Sequence, residues 1–200
     1  MGNIEIFDQI AKTYNTPDRI KISIACANEI RKYLVDGNNK SAIDFGCGTG
    51  LVGLPLANEF QSILFVDASK NMIQYVKEKI KENNINNAEG IAFDLEENQK
   101  EIEPVDYIIV VQVLLHIQDT DAILSKLHSL LKKDGHLIII DFNKNDLVNS
   151  EMVHNGFEQK ELKSILKKIG YQDISSDTFY QGKEIFMKQD ASLFIMDARK

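Results

Sequence analysis

The sequence predicts an α/β protein, a mostly parallel sheet with helices on both faces and an antiparallel hairpin at its end. Three observations predict it. Short apolar runs of strand length alternate repeatedly with segments of helical apolar spacing. A dense glycine stretch, Asp44-Phe-Gly-Cys-Gly-Thr-Gly50, follows one such run directly and opens the next helix. Near the end, two strand-like stretches succeed one another with only a turn between them.

The elements follow in order. Residues 3–14 and 18–36 carry helical apolar spacing, and Thr16-Pro17-Asp18 between them is a break followed by a helix start. Asp36-Gly37-Asn38-Asn39 closes the second helix. Ser41–Phe45 is a short strand that ends at the glycines, and Leu51–Phe60 is the next helix. Ser62–Val66 is a continuous apolar run of buried-strand length. Ser69 is placed to cap a helix over Lys70–Asn83, whose Met72, Ile73, Val76 and Ile80 share one face. Gly90–Phe93 ends a third strand and Val105–Val113 forms a fourth. Ala122–Lys132 is helical, and Asp134-Gly135 turns the chain into a fifth strand, His136–Phe142. A helix over Gln159–Ile169 stops at Gly170. Two strands then follow, Tyr171–Tyr180 and Glu184–Asp197, with Gln181-Gly182-Lys183 as the hairpin turn.

With 200 residues and no repeat, low-complexity tract or Pro/Gly-rich linker, the chain reads as one domain, with 1–36 as a helical lid and 40–200 as the core. No segment approaches the roughly 18 consecutive apolar residues of a membrane span. The start, Met-Gly-Asn-Ile-Glu-Ile-Phe-Asp, has acids where a signal peptide needs basic residues, and Ile6 stands where a myristoylation signal wants Ser or Thr. A cytoplasmic location is expected. The formal net charge of −7 argues against a nucleic-acid groove. The lysines at 77–81, 132–133 and 160–168 are interspersed with Glu on helical patterns and read as solvated faces, a local RNA-binding patch being the other reading. Two cysteines at unrelated spacing, Cys26 and Cys47, make neither a disulfide framework nor a metal site. Cys26 lies in an apolar run, whereas Cys47 sits between the glycines, where a redox or nucleophilic role is the less ordinary option.

The glycines pose a choice between ligands. Gly48-Thr-Gly50-Leu-Val-Gly53 fits G-x-G-x-x-G after a strand and before a helix, and Asp67 ends the next strand, where an acid takes ribose hydroxyls. That combination alone supports NAD. Asp44, two residues before Gly46, shifts the balance, because a carboxylate there repels a pyrophosphate but suits a ligand bearing an ammonium and a sulfonium. The additional Gly46 makes the turn G-x-G-x-G, which admits a compact ligand closely. A terminal helix followed by a hairpin is also unusual for a dinucleotide sheet.

These residues resemble the class I S-adenosylmethionine-dependent methyltransferases of small-molecule type, over nearly the whole chain. Ala42–Gly50 is similar to the family's first motif. Val66-Asp67-Ala68-Ser69 with Met72 resembles the second, in which the acid holds both ribose hydroxyls and the Met packs on adenine. Phe93-Asp94-Leu95 resembles the third, in which the acid meets the adenine amino group and its neighbour lines the ring. Val105–Ile117 resembles the fourth strand and the turn beneath the sulfonium, which brings in Val111. The resemblance implies a Rossmann-like sheet of seven strands, order 3-2-1-4-5-7-6 with strand seven antiparallel, and a ligand at the carboxyl ends of strands one and four.

Site roles follow from the resemblance. Gly46, Cys47, Gly48 and Gly50 face the methionine part, and Asp44 binds its amino group directly or through water. Asp67 and Ala68 hold the ribose; Met72, Asp94 and Leu95 surround adenine. Phe7–Asn15 is similar to a lid helix in which Tyr14 covers the methionine end; a helix stripe packed on the domain is the plainer reading. His116, just after the fourth strand, is a candidate general base with an ordinary pKa near working pH, or a histidine that packs under the cofactor. His154, in the loop after strand five, is a candidate substrate contact. No metal is implied. Val111-Gln-Val-Leu114 stands where exocyclic-amine methylases carry an Asn-Pro-Pro-Tyr-type tetrapeptide, so a small-molecule acceptor is expected, with S-adenosylhomocysteine as product. An NAD-dependent oxidoreductase and a non-catalytic cofactor binder are the rival readings. The oligomeric state is not encoded in any feature of the sequence.

Overall fold

A computed structural model describes residues 4–93 and 102–200. The chain opens with α1 (Ile4–Ile10), a 3₁₀ turn at Ala11–Thr13 and α2 (Pro17–Arg31). Thr16 caps α2 by accepting the Arg19 N–H, and Pro17 occupies the first turn, where its missing N–H costs nothing. β1 (Ser41–Phe45) leads through the glycines into α3 (Gly53–Leu56), and β2 (Ser62–Asp67) leads into α4 (Lys70–Glu82). β3 (Ala88–Ala92), β4 (Val105–Val111), α5 (Thr120–Ser129), β5 (Leu131–Phe142), α6 (Gln159–Ile169), β6 (Gln172–Phe186) and β7 (Gln189–Arg199) complete the described elements.

The sheet has seven strands in the order β3-β2-β1-β4-β5-β7-β6. Every pairing is parallel except β5 with β7 and β6 with β7. Strands buried on both faces need apolar residues at every position, and β4 and β5 supply them: Ile108, Ile109, Val110 and Leu137 through Ile140 are all fully buried. One face packs Ile22, Cys26 and Ile30 of α2 against Phe65, Ile138 and Ile195. The other packs Leu124 and Leu127 of α5 and Leu166 of α6 against Ile43, Ile108 and Phe194. The strand order reverses at β1, which lies between β2 and β4, so the crevice of the open sheet lies at the carboxyl ends of β1 and β4.

Several boundaries differ from the sequence reading. The expected helix over residues 51–60 shrinks to α3 and a 3₁₀ turn at Ala57–Glu59, because Pro55 has no N–H to donate. The helix begun at α2 ends at Arg31, well before residue 36, and Asp36 takes a left-handed conformation with φ of 54°. β5 starts at Leu131, and the expected turn at Asp134-Gly135 is a bulge between the Leu131 and His136 pairings with β4. The largest correction concerns the hairpin. Residues 181–183 stay in the strand, with Gly182 opposite Ala191. The chain reverses instead at Met187-Lys188, both at positive φ (50° and 62°), the backbone pattern of a two-residue turn that matches strand twist. No glycine or asparagine marks that turn, so residue preference pointed to the wrong place.

Candidate active site

The glycine loop leaves β1 and turns back at once. The Gly46 and Cys47 N–H groups both donate to the Val66 carbonyl on β2, at 2.8 and 3.1 Å. Gly46 has φ of +69°, and a Cβ there would collide with the Val113 side chain. Gly48 has φ of +53°, and the nearest atom to a Cβ built on it is Tyr14 Cε1 at 3.8 Å. That Cβ would project into a cavity of about 590 Å³ along the carboxyl edge of the sheet. The space is of ligand size. Gly46, Cys47, Gly48, Asp67, Ala68, Met72, Val111, His116 and Tyr14 all line it. Gly50 does not, since it faces Leu54 and Val76. Asp94 and Leu95 lie outside the described residues.

Asp67 ends β2 and is fixed by backbone. Its Oδ2 accepts the Gly48 N–H and its Oδ1 accepts the Ser69 N–H, both at 2.8 Å. Burial raises its pKa, and these two donors pull against that. A carboxylate has about four lone-pair sites, so each oxygen keeps one for a further donor, as a ribose diol would require.

Asp44 sits beneath the loop and is 2% exposed. Burial, and then the charge on Asp67, push its carboxyl up to about 7, while the Gly53 N–H pulls the other way. Gly53 is glycine because a Cβ would strike Asp44 Oδ2. That oxygen has no hydrogen-bond partner among the described residues. The side chain lies behind the cavity wall, so its attraction for a cation acts through the loop. The direct contact expected from the sequence is therefore not open to it; an ammonium on the cavity side of the loop would instead favour its ionised form across the wall. Cys47 lies beside both acids; burial raises its thiol well above the ordinary value, which makes it a poor nucleophile.

The N-terminal segment is fastened across this loop. Asp8 Oδ1 accepts from the Ser69 hydroxyl and from the Asn71 N–H, and Asn71 Nδ2 donates to the Asp8 carbonyl. Thr49 Oγ1 donates to Asn15 Oδ1 at 2.6 Å, and Asn15 Nδ2 donates to the Tyr75 hydroxyl. Tyr14 is held over Gly48 by Arg19, whose guanidinium donates to the Tyr14 carbonyl at 3.0 Å and stacks 4.1 Å from its ring. Phe7 meets both Tyr14 and His116 edge to face, at 6.3 and 5.2 Å.

At the end of β4, Gln112 takes φ of +54°, a conformation that costs a non-glycine residue energy and turns the chain beside the cavity it lines. The 3₁₀ turn Leu114–His116 follows. Asp141, fully buried at the end of β5, accepts the N–H groups of Leu114, Leu115 and Phe142, and burial raises its carboxyl to about 7. Its role is to hold the turn that presents His116. Burial lowers the His116 imidazole to about 4, rather than leaving it at its ordinary value, so the ring is neutral over the physiological range.

His154 does not line the cavity. Its Nε2 donates to the Ile117 carbonyl at 2.7 Å and its backbone N–H to the Leu115 carbonyl at 2.8 Å, which clasps the loop after β5 to the turn after β4. Its neighbour Val153 is the lining residue. The sequence reading missed Asp8, Asn15, Gln112, Asp141 and the hairpin tip at Ile185–Met187. Asp141 carried a usable signal, an acid closing an apolar run as Asp44 does. The others depend on partners far along the chain.

Comparison with known proteins agrees with this geometry. The profile of the methyltransferase-domain family matches residues 36–188. A ubiquinone biosynthesis O-methyltransferase from Pelagibacter ubique is 28% identical over 156 residues, covering 70% of this chain and 64% of that protein. The chain thus spans a little under two thirds of that relative's length. Among solved structures, a (4+2)-cyclase superposes with a TM-score of 0.75 at 16% identity, over 88% of this chain and 79% of that one. Phosphoethanolamine N-methyltransferase 2 of Haemonchus contortus, in complex with S-adenosyl-L-methionine, gives 0.70 at 18% identity, over 86% and 51%. These two likenesses show the fold alone. With the profile match covering most of the chain and the strand order as expected, the chain belongs to the methyltransferase-domain family, in its class I, S-adenosylmethionine-dependent form.

Proposed function

We propose that the protein binds S-adenosylmethionine along the carboxyl edge of β1, β2 and β4 and transfers its methyl group to a small-molecule acceptor. We read the chain as one domain, with residues 1–36 as the lid. The observation that carries the reading is the pairing of Asp67, with one lone pair free on each oxygen, and the orphaned Asp44 carboxyl behind the glycine loop. A pyrophosphate across the loop would oppose ionisation of Asp44, whereas an ammonium there would favour it. This disfavours the NAD reading.

Asp67 and Ala68 would take the ribose, Met72 and Phe93 the flat adenine, and Gly46 to Gly48 the methionine part. When bound, the cofactor would supply an electrophilic methyl carbon on sulfur, with the C–S electron pair as its leaving pair, for the lone pair of an acceptor. This chain's residues orient and exclude water, which for a well-placed pair can account for roughly 7–11 kcal/mol of a barrier. Tyr14 and Phe7 cover the site. His116, being neutral, packs under the methyl position and is a weak proton acceptor in its buried state.

A cofactor binder that does not transfer methyl groups is the second reading, favoured by a His116 ring that burial makes a weak base. The test is thermal unfolding with S-adenosylmethionine, S-adenosylhomocysteine and NAD, on the native sequence and on Asp67→Ala. A ligand at about 100 times its dissociation constant should add roughly 2.7 kcal/mol. The expected result is stabilisation by both adenosyl ligands, lost in Asp67→Ala. Stabilisation by NAD alone would refute the assignment. Release of S-adenosylhomocysteine in an acceptor screen separates transferase from binder.

A further inference from the structure

The cavity extends well past the glycine loop and changes character as it goes. At one end are Asp67 and the loop; at the other, beyond β4, it is walled by Ile22, Leu115, Phe142, Val153, Ile185 and Phe186. The last two belong to the hairpin tip. Because β7 runs antiparallel to β5, with Phe142 opposite Leu193, residues 189–192 overhang the carboxyl edge of β5. Asn143 ties this overhang down: its N–H donates to the Ser192 carbonyl, and its Nδ2 donates to Ser192 Oγ at 2.9 Å. A register shift between Gly182 and Phe186, together with left-handed Glu184, bends the tip back. Gly182 permits the bend, since a Cβ there would press on the Ile185 side chain at 2.7 Å. The bend stacks Phe186 flat on Phe142, with ring centres 4.1 Å apart and planes 5° from parallel.

Charge at this end is sparse. Of the charged side chains among the described lining residues, Arg19 lies at the lid, stacked on the Tyr14 ring, Asp119 sits at the start of α5, which it caps through the Ala122 N–H at 2.9 Å, and Asp67 lies at the opposite end. Polar groups near the boundary are the Gln112 amide, the Ser23 hydroxyl and the neutral His116 ring. An acceptor with a phosphate, carboxylate or ammonium in its body would lose its hydration here without a counter-charge.

Resting on the methyl-transfer reading, we propose that the acceptor has an uncharged, largely hydrocarbon body, of ring size or larger, which seats against the Phe142–Phe186 wall and under Ile185 and Met187. Its nucleophilic atom is then presented beside Gln112 and His116. The β6–β7 tip is the specificity element for the acceptor and takes no part in holding the cofactor.

The test uses N-phenyl-1-naphthylamine, a neutral fluorescent aromatic, titrated into the full chain saturated with S-adenosylhomocysteine. Saturable fluorescence enhancement is expected for the native sequence. Phe186→Ala and Met187→Glu should each weaken the probe at least about tenfold, with S-adenosylhomocysteine affinity unchanged by calorimetry. Met187 is 54% exposed, so its substitution tests the tip without disturbing the core. An acceptor found by screening should show the same pattern, a raised KM with kcat little altered. Absence of saturable probe binding to the loaded protein, or binding indifferent to both substitutions, overturns the inference while leaving the cofactor assignment intact. Failure of S-adenosylhomocysteine to bind the native chain overturns that assignment and this inference with it.

Discussion

Asp44 and Asp141 are carboxyls that close buried strands, and both hold their protons up to about 7. In the unfolded chain each would ionise near 4. Between those values the folded state binds more protons than the unfolded one, so stability falls as pH rises through the window and levels off above it. The ligand-free melting temperature should therefore decline from pH 5 to pH 8. Asp44→Asn should flatten part of that slope and stabilise the ligand-free protein at pH 8 by about 1–3 kcal/mol, at about 1.4 kcal/mol per pH unit of displacement. A slope identical in both proteins would show that Asp44 ionises normally. His116 gives the converse case: its imidazole is already neutral above about 4. The kcat profile between pH 5 and 8 should show no limb assignable to it, and a limb near 6.5 that vanishes in His116→Asn would contradict its burial. Asp44 and Asp67 were legible in the sequence because an acid ending an apolar run serves no solvation purpose. Asp141 has the same signature and went unread because no glycine motif drew attention to it. His154 was misplaced because its position in the loop was legible but its bond to the Ile117 carbonyl was not.

Among the elements, the N-terminal segment meets the site, in its described residues, through polar contacts that reach far along the chain. Asp8 reaches Ser69 and Asn71, and Asn15 reaches Thr49 and Tyr75, across sequence separations that no local pattern reveals. Ser69 has a double task, since its hydroxyl also accepts the Met72 N–H and so caps α4. Loss of Asp8 removes side-chain bonds worth about 1–2 kcal/mol together. Asp8→Ala should weaken S-adenosylmethionine about tenfold through faster dissociation and lower the melting temperature by roughly 2–8 °C, as calorimetry and stopped-flow release would show. An unchanged release rate would mean that the lid does not gate the cofactor. The central strands β1 and β2 and the amphipathic helices α4 and α6 were read closely, because an Ile/Val run or a helical apolar stripe is its own evidence, whereas the ends of α2, α3 and β5 carry no such pattern. The hairpin turn was misread for a related reason. Gly182 looked like a turn glycine, but it serves the packing of Ile185.

At the scale of the whole molecule, the strand order followed from the alternation of elements together with the family resemblance, and the described structure has that order. What stayed hidden was the lateral extent of the cavity, since the overhang of β7 past β5 is set by register and no local pattern records register. No helix among the described residues is long and apolar enough to cross a membrane. The overhang also has an evolutionary consequence. The described residues that meet the cofactor under the proposed reading fall mostly between positions 44 and 93, while the apolar wall, apart from Ile22 and Leu115, draws on Phe142, Val153 and residues 185–187. The two ends of the cavity are thus largely written in different stretches of the gene. A lineage can exchange or lengthen the tip of this edge hairpin, change which molecule it modifies, and leave its cofactor chemistry untouched. Recombination breakpoints between β4 and β5 should accordingly yield chimeras that keep their cofactor affinity and inherit the acceptor range of the C-terminal parent.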